Sequence, residues 1–102
     1  MSGFQQTFPI VLSQTEDGNE VVANVTGTVL GDYDFVVLVD AAVVRSGDPN
    51  STEHFFAAKK YTEGTWPTTG DTYNIAVSPA LKNGDTVTAK AYAAYTVTTT
   101  TP

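Results

Sequence analysis

Strict alternation of polar and small apolar side chains marks the stretch Thr86-Val87-Thr88-Ala89-Lys90-Ala91-Tyr92-Ala93. Successive side chains of a β-strand lie on opposite faces of its sheet, so this pattern predicts a strand with one face in a core. Asn83-Gly84 precedes it as a turn signal, and residues 73–77 form an earlier apolar run. The stretch 73–91 therefore predicts two strands joined by a corner.

Turn residues separate short apolar runs throughout the rest of the chain. No window shows apolar residues at the sustained spacing of an amphipathic helix. Asp17-Gly18 predicts a type I′ hairpin turn, because both of its central positions need a positive φ. Gly31-Asp32, residues 46–51 and residues 64–70 are further turn or loop signals. Strands are predicted at about 7–13, 20–29, 33–40, 41–45, 53–61, 72–77, 86–93 and 94–99. No turn residue separates the last two, which are either two strands or one long bent strand.

The predicted strand at 33–40 is apolar on both faces. Phe35, Val37 and Val39 alternate with Val36 and Leu38. Either this strand is central in its sheet, or something outside the domain covers one of its faces. By contrast, the predicted strand at 20–29 has a single apolar face, with the members Val21, Ala23, Val25 and Val29.

Composition limits the classes of partner. A chain of 102 residues with 41% hydrophobic residues predicts one globular domain, residues 1–102. The net charge of −6 disfavours nucleic acid and anionic membrane as partners. The absence of cysteine excludes disulfides and thiolate sites. No apolar stretch approaches the roughly 18 residues of a membrane span, and the N-terminus lacks the basic and apolar regions of a signal peptide.

Residues 73–91 resemble a recurring stretch of bacterial and phage immunoglobulin-like and fibronectin type III-like domains. The resemblance implies an all-β fold, an immunoglobulin-like two-sheet antiparallel β-sandwich of seven to eight strands. It places Leu81 at the end of the sandwich, Gly84 at a positive φ, and Val87, Ala89 and Ala91 toward the core. Residues 1–6 and 99–102 are then extended or flexible tails. The antibody-type cysteine pair is missing, and no tyrosine stands at position 86 or 87.

Few residues are candidates for catalysis, metal binding or ligand binding. His54, the only histidine, is expected to be structural, because no nucleophile motif accompanies it. Asp32 and Asp34 are candidate Ca²⁺ ligands, since i, i+2 spacing puts both carboxylates on one side of a strand end. Trp66 either caps the core or is an exposed ring for a sugar or a protein partner. No catalytic residue, cofactor or small-molecule ligand is predicted, and an enzyme is the least supported class.

These observations favour a non-enzymatic virion structural protein. The expected role is a phage capsid decoration (cement) protein, assembled in the host cytoplasm and carried on the capsid exterior. Its expected partners are the major capsid protein or another virion protein, with copies of itself as a further partner. The predicted contact residues are Phe4, Phe8, Pro9, Trp66, Tyr95 and Val97. The alternative is a glycan- or receptor-binding module of a phage tail fibre or a bacterial surface adhesin.

Overall fold

The fold consists of two antiparallel β-sheets. The computed structural model describes the backbone of residues 2–8, 10–14, 18–27, 34–67 and 69–97, and the side chains of 18–27, 34–67 and 69–94. The strands are β1 Ser2–Phe8, β2 Ile10–Gln14, β3 Glu20–Val25, β4 Phe35–Arg45, β5 Asp48–Tyr61, β6 Asp71–Ala76 and β7 Thr86–Val97. Their order is β1-β7-β4-β5 in one sheet and β2-β3-β6 in the other. The predicted all-β, two-sheet antiparallel architecture is confirmed.

The core lies between the two sheets and follows the predicted alternation. On β3 and β4, every second side chain is buried, and the residues between them are half-buried or exposed. Burial of these branched side chains is the main favourable contribution to folding. The buried set is Val21, Ala23, Val25, Phe35, Val37, Val39, Ala41, Val43, Tyr61, Tyr73, Ile75, Val77, Ala91 and Ala93.

β4 is one strand of 11 residues, so the predicted division into strands 33–40 and 41–45 is wrong. Asp40, the last residue before the predicted division, lies on the outward side of the strand, half-buried, with His54 as its partner. A polar residue on the outer face interrupts neither the backbone ladder nor the apolar inner face. β4 pairs with β5 on one side and with β7 on the other.

The predicted loop at 46–51 is also wrong for most of its length. Only Ser46-Gly47 forms the turn, and β5 begins at Asp48. Pro49 is tolerated there because it stands near the start of an edge strand, where a missing N–H removes no essential ladder bond. A register shift between Val43 and Arg45 accommodates the tight connection.

The predicted strand 7–13 is two strands in different sheets. β1 ends at Phe8 and pairs with β7, whereas β2 begins at Ile10 and pairs with β3. Proline has no backbone N–H for a ladder, which favours a change of sheet at residue 9. β1 includes residues 2–6 of the predicted tail. Pro9, Val29 and residues 99–102 lie outside the described residues.

Turn chemistry at the end of the sandwich agrees with the sequence. Gln14 lies opposite Val21, the last described pair of β2 and β3, and Asp17 of the predicted turn lies outside the described residues. Gly18 has φ 72°, and its carbonyl accepts a hydrogen bond of 2.7 Å from the Leu81 N–H. Leu81 packs against the core and Gly84 has φ 96°, as predicted. The two predicted strands at 86–93 and 94–99 form the single strand β7 as far as Val97.

Candidate docking face

The outer face of the four-stranded sheet carries exposed apolar side chains. Val36 and Leu38 are 40% and 36% exposed, although β4 lies between two other strands of its sheet. The first of the two alternatives that the sequence left open is confirmed, since β4 is central in its sheet. Its outer face is uncovered by the described part of the chain, and a cover from outside the domain stays a prediction. We call this surface the docking face: Val36, Leu38, Asp40, Ala42 and Val44 on β4, His54, Phe56, Ala58 and Lys60 on β5, and Lys90, Tyr92 and Ala94 on β7.

Strand register gathers the apolar members of the docking face into one groove. Leu38 lies between Tyr92 and Ala58, and Val36 lies next to Ala94. Val36, Leu38, Tyr92 and Ala94 line a groove of about 500 Å³. Its size falls in the range of small-molecule pockets, but the described side chains that line it are aliphatic and aromatic, and among them only Tyr92 carries a polar atom. Such a groove fits an apolar side chain of a protein partner.

Charge on the docking face differs from charge on the rest of the molecule. The chain carries eleven acidic and five basic residues. Of the residues that define the face, Asp40 is the only acid, whereas Lys60 and Lys90 are both exposed. The His54 Nδ1 atom lies 2.9 Å from Asp40 Oδ1, and the His54 ring stacks on Phe56 with centroids 6.2 Å apart. The face is therefore apolar with a weakly basic rim on an acidic protein.

A second polar group, at the turn between β4 and β5, fixes the structure. Arg45 donates to Glu53 and Asp85, each at 3.3 Å, and to the carbonyl oxygens of Pro79 and Ala80. Asp85 also accepts the backbone N–H groups of Ser46 at 2.8 Å and Lys82 at 2.9 Å. These hydrogen bonds lower the pKa of Asp85 to about 2. Each of the five guanidinium N–H groups thus has a protein acceptor, and Arg45 stabilises the wall of an adjacent cleft of about 290 Å³.

A third group closes the sandwich where β5 meets β6. The Tyr61 hydroxyl donates to Asp71 Oδ2 at 2.6 Å, and this bond lowers the pKa of Asp71. Lys59 donates to Asp71 and to the Thr72 carbonyl, with its ammonium 4.9 Å from the Tyr73 ring centroid. Burial raises the pKa of Tyr73 to about 12 and raises that of Tyr61 still further. In their protonated form, Tyr61 and Tyr73 connect β5 to β6 through hydrogen bonds of their hydroxyl groups.

Trp66 belongs to this closed end. It is half-buried, its indole N–H donates to the Gly27 carbonyl at 3.0 Å, and its ring meets Tyr61 edge-on with centroids 5.0 Å apart. It also lies beside Phe35, with ring centroids 6.1 Å apart. Trp66 therefore caps the core, one of the two roles that the sequence left open. Contact with a partner, as well as glycan binding, stays a prediction.

The other sequence candidates are not brought together. Asp34 accepts the Glu63 backbone N–H at 2.9 Å, while Asp32 lies outside the described residues. Among the described side chains, no group of three or more His, Asp or Glu residues is placed to hold a metal ion. Phe4 and Phe8 lie in β1, and Tyr95 and Val97 in β7, at positions where only the backbone is described. Pro9 is not among the described residues.

Sequence analysis missed several contributors to the docking face. Tyr92 and Ala94 were not named as contacts, although the alternation in 86–93 already puts position 92 on the outer face. Phe56 is not among the predicted contact residues either, and it is the most exposed large hydrophobic side chain that the structure describes. The grouping of Tyr92 with Leu38 depends on the pairing of β4 with β7, which no local pattern reveals.

Comparisons with known proteins returned no match to a family model, to a curated protein or to a solved structure. In the part of the chain that the structure describes, no helix is long and apolar enough to cross a membrane.

Proposed function

We propose that this chain is a non-enzymatic, immunoglobulin-like binding module that attaches to a phage capsid through its docking face. In this role it decorates the outer capsid surface and stabilises it. The observation that carries the proposal is the exposed apolar groove of Val36, Leu38, Tyr92 and Ala94 on an otherwise acidic molecule. Contiguous exposed apolar surface on a soluble domain marks an interaction site.

Strand pairing supports the immunoglobulin-like part of the proposal. In that fold, strands B and E pair in one sheet, and strands C and F pair in the other. Here β3 pairs with β6 and β4 pairs with β7, which are the corresponding non-local pairs. β5 then takes the place of C′ beside C, and β2 that of A beside B. β1 occupies the edge that strand G normally fills, so the correspondence has one permuted strand.

The character of the face indicates the kind of partner. Interface centres are apolar and aromatic, while their rims are polar. Lys60 and Lys90 at the rim favour a partner surface with carboxylates around an apolar projection. The net charge of −6 disfavours unspecific association, whereas the two lysines of this face reduce repulsion toward an acidic partner. The proposed partner is the major capsid protein or another virion protein that presents such a surface.

A capsid built of repeated coat subunits can also be bound through a small docking face, because many such contacts are available. A groove lined by four side chains supports only a modest affinity for one partner site, because association carries a large entropic cost. Contacts to adjacent coat subunits multiply such an affinity through the effective concentration of linked sites. Decoration of a symmetric capsid therefore matches the small, apolar character of the face.

The test is co-sedimentation with capsids. The chain is co-expressed with the coat protein encoded in the same genome, particles are purified, and bound protein is measured for wild type, Leu38→Glu and Ala76→Glu. Leu38→Glu puts a carboxylate into the groove, whereas Ala76→Glu adds the same charge at an exposed position of β6 in the other sheet. We expect binding by wild type and Ala76→Glu and loss of binding by Leu38→Glu. Absence of the wild-type protein from the particles would overturn the proposal.

A further inference from the structure

β5 forms a free edge of the four-stranded sheet. It pairs with β4 along one side, and no strand in the described ranges pairs along its other side. Unpaired backbone N–H and C=O groups at such an edge are a template for another strand. Natural proteins block edges with proline and lysine, but in β5 these residues stand only near the two ends, at Pro49 and at Lys59 and Lys60. The stretch 50–58 between them has neither proline nor lysine, and its one carboxylate, Glu53, is paired with Arg45.

Phe56 lies within this unprotected stretch and is 57% exposed. Its neighbour on the strand, Phe55, is partly buried against the core. An aromatic side chain at an exposed strand edge adds a large apolar area to any strand that pairs there, and aromatic cross-strand pairs stabilise a sheet.

We infer that β5 pairs with β5 of a second copy of this chain, antiparallel and centred on Phe56. A two-fold axis perpendicular to the sheet then sets Phe56 opposite its own counterpart. Directly opposite residues in antiparallel strands share a face. The same register therefore sets Glu53 opposite Lys59 of the second copy, at both ends of the paired segment.

Charge complementarity supports this register. The Glu53 and Lys59 side chains are 41% and 44% exposed. Glu53 binds Arg45 through Oε1 alone, so its Oε2 is available. Lys59 donates to Asp71 and to the Thr72 carbonyl, which leaves one of its three donors. Both new ion pairs thus form without breaking an existing contact.

A register centred on His54 is the main competitor, because it sets Asp48 opposite Lys60. That register also brings Pro49 into the paired segment opposite Lys59, and proline cannot donate to a ladder. It further leaves Phe56 opposite Thr52, without an aromatic partner. The register centred on Phe56 avoids both defects.

The resulting dimer is one continuous sheet with the two docking faces on the same side. Two coat contacts are then linked in one particle, which raises avidity without any new contact to the coat. Formation of the dimer does not depend on the proposed function, since it is measured in solution without capsids.

Disulfide trapping tests the register directly, because the chain has no native cysteine. In the inferred dimer, position 54 of one copy lies opposite position 58 of the other. Within one chain these positions are about 13 Å apart along an extended strand, too far for a disulfide. We expect His54→Cys/Ala58→Cys to give a covalent dimer under mild oxidation, with neither single variant doing so. Cross-linking of His54→Cys alone would place the axis at His54 and overturn the inference, and so would absence of cross-linking in the double variant.

Sedimentation equilibrium of the full chain supplies the second measurement. We expect a dimer for wild type and a dissociation constant raised at least about tenfold by Phe56→Lys, because two ammonium groups then face each other at the axis. Ala76→Lys, the same new charge at an exposed position of the other sheet, should leave dimerisation unchanged. Leu38→Glu should also remain dimeric, which separates this inference from capsid attachment. A monomeric wild type, or a Phe56→Lys variant that dimerises as wild type does, would refute it.

Discussion

Tyr61 and Tyr73 join the two sheets through a hydrogen bond of 2.5 Å between their hydroxyl groups. Tyr61 belongs to β5 of the four-stranded sheet, and Tyr73 to β6 of the three-stranded sheet. Because Tyr61 donates its proton to the Asp71 carboxylate, Tyr73 donates to Tyr61. The chain of hydrogen bonds from Tyr73 through Tyr61 to Asp71 closes the end of the sandwich that Trp66 caps. Tyr61 takes part in both of these bonds, whereas Tyr73 takes part in one.

Tyr61→Phe is therefore expected to cost more stability than Tyr73→Phe. Loss of the Tyr61 hydroxyl leaves the buried Tyr73 hydroxyl without its acceptor and removes a donor from Asp71, at a cost of about 1–3 kcal/mol. Tyr73→Phe leaves the bond from Tyr61 to Asp71 intact, so about 1 kcal/mol is expected. Urea unfolding measures both values, and equal or reversed effects would contradict this order of donation.

Stability should fall in alkaline solution because of Tyr73. Its folded pKa of about 12 lies above the ordinary value of 10.0. A raised tyrosine pKa means that the unfolded state releases its proton first, so the stabilisation is complete below pH 10 and is lost as the pH rises toward 12. Unfolding free energy between pH 9 and 12 measures the loss, with Tyr73→Phe as the comparison. A wild-type profile no steeper than that of Tyr73→Phe would count against the buried tyrosine.

In acid, stability is expected to fall with falling pH because of Asp85. Its folded pKa of about 2 lies below the ordinary 3.8, so its contribution is present above pH 4 and is lost as the pH falls toward 2. Asp85→Asn should lower stability at neutral pH and flatten the profile between pH 4 and 2. Urea unfolding at a series of pH values tests this, and an unchanged acid slope in the variant would argue against the network around Arg45.

Gly18→Ala should destabilise the protein by about 1–3 kcal/mol. Gly18 has φ 72°, and an added Cβ would lie 2.7 Å from the Leu81 carbonyl oxygen. Gly47→Ala is the matched control, because nothing lies within 4 Å of its added Cβ and its φ is not positive. Thermal and urea unfolding of both variants should separate them, and similar stabilities would mean that the corner at 77–81 does not pack on Gly18.

Neighbouring valines on β4 should respond differently to truncation. Val37 is fully buried, so Val37→Ala is expected to cost about 2 kcal/mol from lost burial and a cavity. Val36 faces outward, and Val36→Ala should change stability by less than about 0.5 kcal/mol. A large loss for Val36→Ala in urea unfolding would mean that its side chain is covered in the free protein.

Several elements of the fold were predictable because they are local. Period-two alternation identified the inward residues Val21, Ala23 and Ala91, since side chains of a strand alternate whatever the sheet order. Element boundaries were less accurate where a local signal competes with tertiary pairing. Pro49 and Asn50 resemble a loop in sequence, but ladder bonds to β4 hold this region in β5.

The candidate docking face was predictable only in part. Apolar residues on both sides of 35–39 predicted either a central strand or a covered face, and the choice between them depends on the partners of β4. The structure places β4 between β7 and β5, so the strand is central, and nothing in the described part of the chain covers Val36 and Leu38. Tyr92 joins them because β4 and β7, more than forty residues apart in sequence, pair in one register.

By itself, the sequence determined the β class, the alternating faces, the turn glycines and the acidic charge, because each follows from covalent chemistry and local conformational preference. The tertiary structure alone decided which strands pair, and therefore which side chains meet. Pairing of β4 with β7 built the apolar groove, the approach of β5 to β6 linked Tyr61 with Tyr73, and the edge position of β5 left Phe56 exposed. Non-local contacts form only when the whole core is buried at once, so no short stretch of sequence specifies them.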